Sequence, residues 1–457
     1  MLLGEKVLIT PLGGVGEVGR NCFLYEYKDH ALVIDCGIMP QKEENGAGGD
    51  LLWENPHYPK LEILDEKIRE GKKISALITH AHLDHIGAIA ELIRRRIPIH
   101  ISRFAQKFFV ARYLDSFIFE EDIKIANLIT LADGKSSFQF GDFSITCFPV
   151  PHSIPNTFGV SVKVGGKNIL HLTDFKFQGL EEGRSFLENT LLDIKNDCGT
   201  IDALLLDTLN AEIPGYTPPE RKVIQSLEEI ISQTKQGKIF ITFFSSNIQR
   251  MEEILKVCLR LNRPVRVLGQ GMKTSRDEFC KINTYKDRER KFTRERYGQR
   301  PYAYPGEVIL LAGSQGEESS HLWKALVGGW LGDNGRYHKS DTRIYSKDTI
   351  VLSSRCIPGN EKPVRELLEG ISRRRAKIIL HEGESRKLQL PFRVKEKFVH
   401  VSGHGYQGDQ LRVIEIAAPK KIIPVHAERQ KTEIFAGLLG DNSQKIIIPS
   451  LGETIII

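Results

Sequence analysis

The residues best able to do chemistry are packed into Ile78-Thr79-His80-Ala81-His82-Leu83-Asp84-His85-Ile86-Gly87. His80, His82, Asp84 and His85 are four metal-capable side chains within six positions. An apolar run, Ile74 to Ile78, precedes them and reads as a strand; Ile86 to Arg95 follows with helical spacing. The set therefore sits at a strand end, where loops carry function. His80 and His82 are two apart, so an extended backbone turns both imidazoles to one side. Asp84 and His85 enter the first helical turn and aim at a second point nearby. That geometry suits two metal ions side by side, each needing ligands from elsewhere in the chain.

Other strand ends offer them. Phe138 to Pro149 alternates as strands around a Gly141-Asp142 turn and runs into Val150-Pro151-His152. Lys167 to Leu172 is a strand ending at Thr173-Asp174, whose two carboxylate oxygens suit a bridge between ions. Ala31 to Ile34 ends at Asp35, an acid placed to brace the histidine loop from behind. The buried run Leu204 to Leu206 ends at Asp207. Near the C-terminus, Val399 to Val401 reads as a strand leading to Ser402-Gly403-His404, and Ile422 to Val425 leads to His426. Gly14, Gly16 and Gly19 form a GxGxxG, but a second strand, Asn21 to Tyr27, follows where a dinucleotide site needs a helix. The glycines are expected instead to turn the backbone at the mouth of a site.

These side chains need a scaffold, and 457 residues with 40% hydrophobic and 27% charged content can build two or three globular domains. From about residue 209 to 399, strand and helix patterns alternate as in a parallel α/β sheet. Three of its strands end in polar loops, at Ser246-Asn247, Ser314 and Ser354, where small side chains and backbone N–H groups can cradle phosphates. The final strands, including Lys445 to Ile448 and Thr454 to Ile457, return to the pattern of the first half. The expected domains are thus 1–208 and 400–457 together, with 209–399 inserted. Seven scattered cysteines with no CxxC pair argue against a disulfide framework and a thiolate zinc site. No apolar run reaches the ~20 residues that cross a bilayer. The N-terminus lacks a signal-peptide layout, so a cytoplasmic protein with no membrane partner is expected. A net charge of +6 permits a polyanionic partner, and Lys286 to Arg300 and Arg373-Arg374-Arg375 concentrate the positive charge.

The HxHxDH pattern is the signature of the metallo-β-lactamase superfamily. Asp207, His404 and His426, with an α/β insertion between the first two, resemble its β-CASP branch. Leu12-Gly13-Gly14-Val15-Gly16-Glu17-Val18-Gly19, Asp174-Phe175-Lys176-Phe177, Asn210-Ala211-Glu212, Ser246-Asn247-Ile248, Gly313 to Glu317, Ile357-Pro358-Gly359-Asn360-Glu361 and Pro424-Val425-His426 are similar to the ribonuclease J family from end to end. The resemblance implies an αββα sandwich with an inserted parallel α/β domain, in a short form without an extra C-terminal domain. It implies a metal-dependent 5′→3′ exoribonuclease that can also cut internally, acting on single-stranded RNA, with a homodimer as the assembly to test. It implies two Zn2+, with Mn2+ as substitute: one held by His80, His82 and His152, the other by Asp84, His85 and His426, bridged by Asp174. His404, oriented by Asp207, is the implied general acid, and Asp84 joins them as a catalytic candidate. Ser402, Gly403 and His404 join Ser246, Asn247, Ser314 and Ser354 as phosphate contacts. The chain departs from the family at Gly405-Tyr406, Gln270-Gly271 and Ala427. The competing readings are a metal-dependent hydrolase of a small ester or thioester and a nucleic-acid-binding subunit that does not cut.

Overall fold

Alternation of apolar and polar residues lays down the first two sheets. In Phe143–Pro149, Phe143, Ile145 and Cys147 point into the core, while Thr146 faces outward and meets the Ser137 hydroxyl at 2.9 Å. The computed structural model describes residues 6–41, 52–114, 116–178, 185–282, 306–331, 337–339, 342–440 and 445–457. The basic stretch 286–300 lies outside them. The chain divides into two compact units: one takes in residues up to Gln41, Trp53–Pro218 and Ser402–Ile457, the other Pro219–Val401.

The first unit is a sandwich of two sheets. The first sheet contains β1 (Leu8–Gly13), β2 (Cys22–Tyr27), β3 (His30–Ile34), β4 (Lys73–Leu77), β5 (Ile99–Ser102), β6 (Leu128–Leu131) and a C-terminal strand, β19 (Ile455–Ile456), in the order β19-β1-β2-β3-β4-β5-β6. The second contains β7 (Ser136–Phe140), β8 (Phe143–Pro149), β9 (Phe158–Val164), β10 (Lys167–Leu172), β11 (Ala203–Asp207) and β18 (Lys421–Val425), in the order β18-β11-β10-β9-β8-β7. Their inner faces meet through Phe23, Tyr25, Leu32, Ile145, Val160 and Leu205. Helices α2 (Ser185–Cys198) and α6 (Gln407–Ala417) cover the outer face of the second sheet. β11 is buried on both sides, Leu205 against one core and Leu204 and Leu206 against the other, which is why it reads as an unbroken apolar run. β3 with β4, and β10 with β11 and β18, run parallel. Their carboxyl ends thus present Asp35, the 78–85 loop, Asp174, Asp207 and His426.

The second unit is a parallel sheet of β12 (Ile239–Thr242), β13 (Val265–Val267), β14 (Val308–Leu311), β15 (Thr349–Leu352), β16 (Lys377–His381) and β17 (Lys395–Lys397), ordered β13-β14-β12-β15-β16-β17. Helices α3 (Glu220–Gln233), α4 (Ile248–Arg260) and α5 (Glu361–Arg373) accompany it. Arg250 on α4 is 1% exposed and clamps the sheet's carboxyl edge. It donates to Glu220 at 2.5 Å, to the Ser353 carbonyl at 2.6 Å and to the Val401 carbonyl at 3.2 Å.

Three expected elements differ. The helix expected from Ile86 to Arg95 is two short ones, α1 (Leu83–Ile86) and a second over Ile89–Arg94. Gly87 lies between them, so close to its surroundings that a Cβ would fall 2.4 Å from the Ile38 side chain. Val399 to Val401 is no strand: Ser353 donates to the Val399 carbonyl, His381 accepts from the His400 N–H and Arg250 takes the Val401 carbonyl. Side chains thus satisfy the backbone groups that a ladder would use. Ile446 contributes only an isolated bridge to Ile422.

Candidate metal centre

Asp35 organises the histidine loop. It is fully buried, in a left-handed backbone conformation (φ 62°), and accepts from the Thr79 N–H at 2.7 Å, the Thr79 hydroxyl at 2.8 Å and His85 Nδ1–H at 2.7 Å. Because Thr79 gives its proton to the carboxylate, its oxygen accepts from His80 Nδ1–H, 3.0 Å away. His152 Nδ1–H likewise donates to the Gly403 carbonyl at 2.9 Å. Those bonds choose the tautomer and leave the Nε2 lone pairs of His80, His85 and His152 facing inward.

The inward atoms converge on two points. His82 Nδ1 lies 3.1 Å from both His80 Nε2 and His152 Nε2, with Asp174 Oδ2 3.4 and 3.3 Å from the latter two. Asp174 Oδ1 lies 3.1 Å from His85 Nε2 and 3.8 Å from His426 Nε2; Asp84 Oδ2 is 3.7 Å from each of those nitrogens. In each group, four ligand atoms lie within 4.8 Å of one another, and Asp174 belongs to both. The donor set fits metal cations. Lone pairs face lone pairs at hydrogen-bond distance, and Asp174 Oδ1 is buried without a hydrogen-bond partner. An uncompensated buried carboxylate oxygen is costly unless a cation meets it. Burial, reinforced by the neighbouring imidazoles, pushes His82 down to about 3 and His152 well below the usual range, so both are neutral nitrogen donors. Burial opposes ionisation of Asp174, but His85, His426, His404 and His80 outweigh it and hold its carboxyl well below the ordinary value. All these donors are nitrogen or oxygen, and an imidazole-rich set suits zinc.

The glycine loop serves this centre. The Gly14 carbonyl accepts from the His426 N–H at 2.7 Å, and a Cβ on Gly14 (φ 78°) would lie 2.4 Å from Asn21 Oδ1. The Asn21 amide donates to the Asp84 carbonyl at 3.1 Å and lies 2.8 Å from His426 Nδ1, which turns Nε2 of that ring toward Asp84 and Asp174. Sequence reasoning passed over Asn21; its only signal was its place directly after the glycines. Thr79, Lys176 and Asp409 were also passed over. Lys176 is 1% exposed and donates to the Ser402 carbonyl at 3.3 Å.

His404 stands beside the second carboxylate face. Its Nδ1–H donates to Asp207 at 2.8 Å, and its Nε2 is 3.8 Å from Asp174 Oδ2. Burial lowers its basicity, but Asp174 and Asp207 overcome that and raise it to about 9. Asn210 ties down the same loop, donating to the Ser402 hydroxyl at 3.0 Å and the His404 carbonyl at 3.2 Å. Ser402 and Gly403 therefore sit beside the centre, although Ser402 Oγ is occupied with Asn210 and the His404 N–H.

The remaining candidate phosphate contacts lie in the second unit, at the carboxyl ends of its strands. Ser246 follows β12. Asn247 caps α4, its side chain accepting from the Arg250 N–H at 3.0 Å, which is ordinary helix chemistry. Ser314 Oγ accepts from Gln315 at 3.3 Å, whereas Ser354 Oγ is buried without a partner. Arg373 is 77% exposed and pairs with Glu369 at 3.5 Å, as on a solvated helix. Gln270 opens a helix and donates to Thr274 at 3.3 Å.

Comparison with known proteins is consistent across the chain. Residues 236–371 match the family model for the ribonuclease J β-CASP domain. Residues 46–214 match a β-lactamase superfamily domain, and 390–449 the Zn-dependent metallo-hydrolase RNA specificity domain. The chain is 30% identical over 460 residues to Ribonuclease J of Mycoplasma genitalium, covering 99% of this chain and 74% of that protein. To Ribonuclease J of Mycobacterium tuberculosis it is 30% identical over 423 residues, 92% and 68% of the two chains. A crystal structure of a protein of unknown function from Enterococcus faecalis shares the fold, with a TM-score of 0.64 at 15% identity, covering 99% of this chain and 100% of that one. With a metal-capable centre on a two-sheet sandwich and a parallel α/β unit inserted into it, the chain belongs to the ribonuclease J family, the β-CASP branch of the metallo-β-lactamase hydrolases.

Proposed function

We propose that this protein is a metal-dependent ribonuclease that degrades single-stranded RNA from the 5′ end and also cuts internally, acting in RNA processing and decay in the cytoplasm. The observation that carries the reading is the convergence of two ligand groups on Asp174, with the His404–Asp207 pair against the same carboxylate. His80, His82 and His152 would hold one ion; Asp84, His85 and His426 the other; Asp174 would touch both. Zinc suits this set and manganese can replace it. Bound there, the ions lower the pKa of water and neutralise charge on the phosphoryl oxygens.

The protein's own groups complete the reaction. As water oxygen bonds to phosphorus, the P–O3′ bond breaks and its electron pair goes to O3′. His404, raised to about 9, carries the proton that O3′ takes from Nε2. Asp207 holds Nδ1–H, and so keeps Nε2 aimed at the leaving oxygen. Asp84, whose side chain stays 28% exposed, would take the water's proton. Products are a 5′-phosphate and a 3′-hydroxyl. Nothing in this scheme reads a base, so cleavage tolerates sequence; backbone contacts position and base contacts specify.

A gel time course on one 5′-labelled RNA, with a 5′-monophosphate or a 5′-triphosphate, tests the reading in zinc and in manganese. Labelled mononucleotide released at the earliest time is the expected result, with internal fragments as the second activity. If the wild-type protein leaves RNA as intact as the His80→Ala variant does, the ribonuclease reading is wrong.

A further inference from the structure

One buried carboxylate outside the metal centre joins the loops that carry Asp174 and His404. Asp409 is the third residue of α6 and is fully buried. Its Oδ1 accepts from the Phe177 N–H at 3.3 Å, three residues beyond Asp174. Its Oδ2 accepts from the Tyr406 N–H at 2.9 Å, two residues beyond His404, and from the Thr217 N–H and hydroxyl at 2.7 and 2.8 Å. Thr217 also meets the His404 carbonyl at 3.2 Å and accepts from the Tyr406 N–H at 2.8 Å. The carboxylate thus has four donors from three separate segments. No single segment holds the His404 loop by itself, because its 402–406 stretch is irregular backbone.

A helix cap would need one of these bonds; the other three reach outside α6. The chain leaves space for this arrangement at Gly405. A Cβ there would sit 3.0 Å from the Asp409 Cβ and 3.4 Å from the Phe175 ring and carbonyl. The packing of Asp409 against Gly405 brings residues 404–406 against the Asp174 loop. That separation, 3.8 Å between His404 Nε2 and Asp174 Oδ2, decides where the proton is held relative to the reacting phosphate.

We infer that Asp409 is a positioning residue for the ribonuclease reaction: it fixes the His404 loop against the Asp174 loop, and so places the proton that O3′ receives. The inference rests on the reading of His404 as proton donor. Loss of the carboxylate lets the His404 loop shift, while the Asp174 loop keeps the bond from the Lys176 N–H to the Pro151 carbonyl at 3.0 Å. A misplacement of about 1 Å can cost on the order of 10²-fold in rate. The effect belongs in kcat for a leaving group that needs a proton, not in metal content or KM.

The test compares two oligoribonucleotides that differ at one scissile bond, one with the natural 3′-oxygen and one with sulfur in its place. A thiolate leaves without a proton. Zinc-loaded wild type, Asp409→Asn and His404→Ala are assayed on both, with bound metal measured in each. Asp409→Asn is expected to lose about 10²-fold in kcat on the oxygen substrate and about tenfold less than that on the sulfur one, with metal content and KM unchanged. Thr217→Val, which keeps the backbone N–H and the volume, is expected to show the same selectivity at about tenfold. It carries the test if Asp409→Asn fails to fold. Equal losses on both substrates in these variants, or no loss on oxygen, while His404→Ala stays selective, overturn the role of Asp409. Equal losses in His404→Ala itself overturn the proton-donor reading, and the inference with it.

Discussion

At the residue scale, the chemistry is set by what each imidazole does with its other nitrogen. Asp207→Asn leaves His404 in place but removes a charge that helps raise it to about 9. On the proposed mechanism protonated His404 is the active form, so kcat is expected to fall as pH rises through its pKa. Cations held near Asp174 would pull that basic limb below 9. In Asp207→Asn it is expected to move lower still, with kcat down by about 10²–10⁴-fold, read from a pH–rate profile. Asp35 acts on the metal side. Asp35→Asn removes a charged acceptor from His85 Nδ1–H and the Thr79 hydroxyl. Metal affinity is expected to fall about 10–100-fold, measured by competition with a chelator. An unchanged affinity would mean the tautomers are held by other means.

At the element scale, irregular backbone at strand ends is held by side chains rather than by ladders. Arg250 is the clearest case in the second unit, donating to Glu220 and to the carbonyls of Ser353 and Val401. Arg250→Ala takes the guanidinium from Glu220, 1% exposed, and from two buried carbonyls. A loss of about 3–5 kcal/mol is expected in urea unfolding. Asn247→Ala, which removes only the cap of α4, is expected to cost about 1 kcal/mol. The ordering of these two variants separates a buried ion pair from a helix cap. The same logic explains why the expected Val399–Val401 strand is absent: its polar groups are spoken for by Ser353, His381 and Arg250.

At the scale of the whole molecule, the first unit closes only when its C-terminal strands return. β18 pairs with β11 and brings His426 to residues contributed by the first quarter of the chain; β19 pairs with β1. Bound metal should therefore stabilise contacts between distant segments of this unit. Ligand binding to the folded state alone adds RT ln(1 + [L]/Kd), about 2.7 kcal/mol at a hundredfold excess over Kd. Treatment with a chelator is expected to abolish RNA cleavage and lower the melting temperature, and zinc to restore both. A melting curve indifferent to metal would argue against a structural link through His426.

Much of this was legible in the sequence because period and spacing are local. The strand–loop–helix around His80 to His85, the α/β alternation of the inserted unit and the set of acids and histidines at strand ends all follow from side-chain type and position. Period and spacing alone do not say which distant groups meet; for the ligands and for Asp207 with His404 that came from the family resemblance. Asp35 lies 50 residues from His85, Asp207 lies 197 from His404, and Asn21 lies 405 from His426. A hydrogen bond needs its partners within about 3 Å, and only the stacking of two sheets and the return of β18 bring those side chains so close. Alternation predicts which way a residue faces; it does not predict what faces it. The candidate ligands, and Asp35 as their brace, could therefore be named from the sequence, while Thr79 and Asn21, which orient the rings, and Asp409, which holds the His404 loop, depend on the tertiary fold.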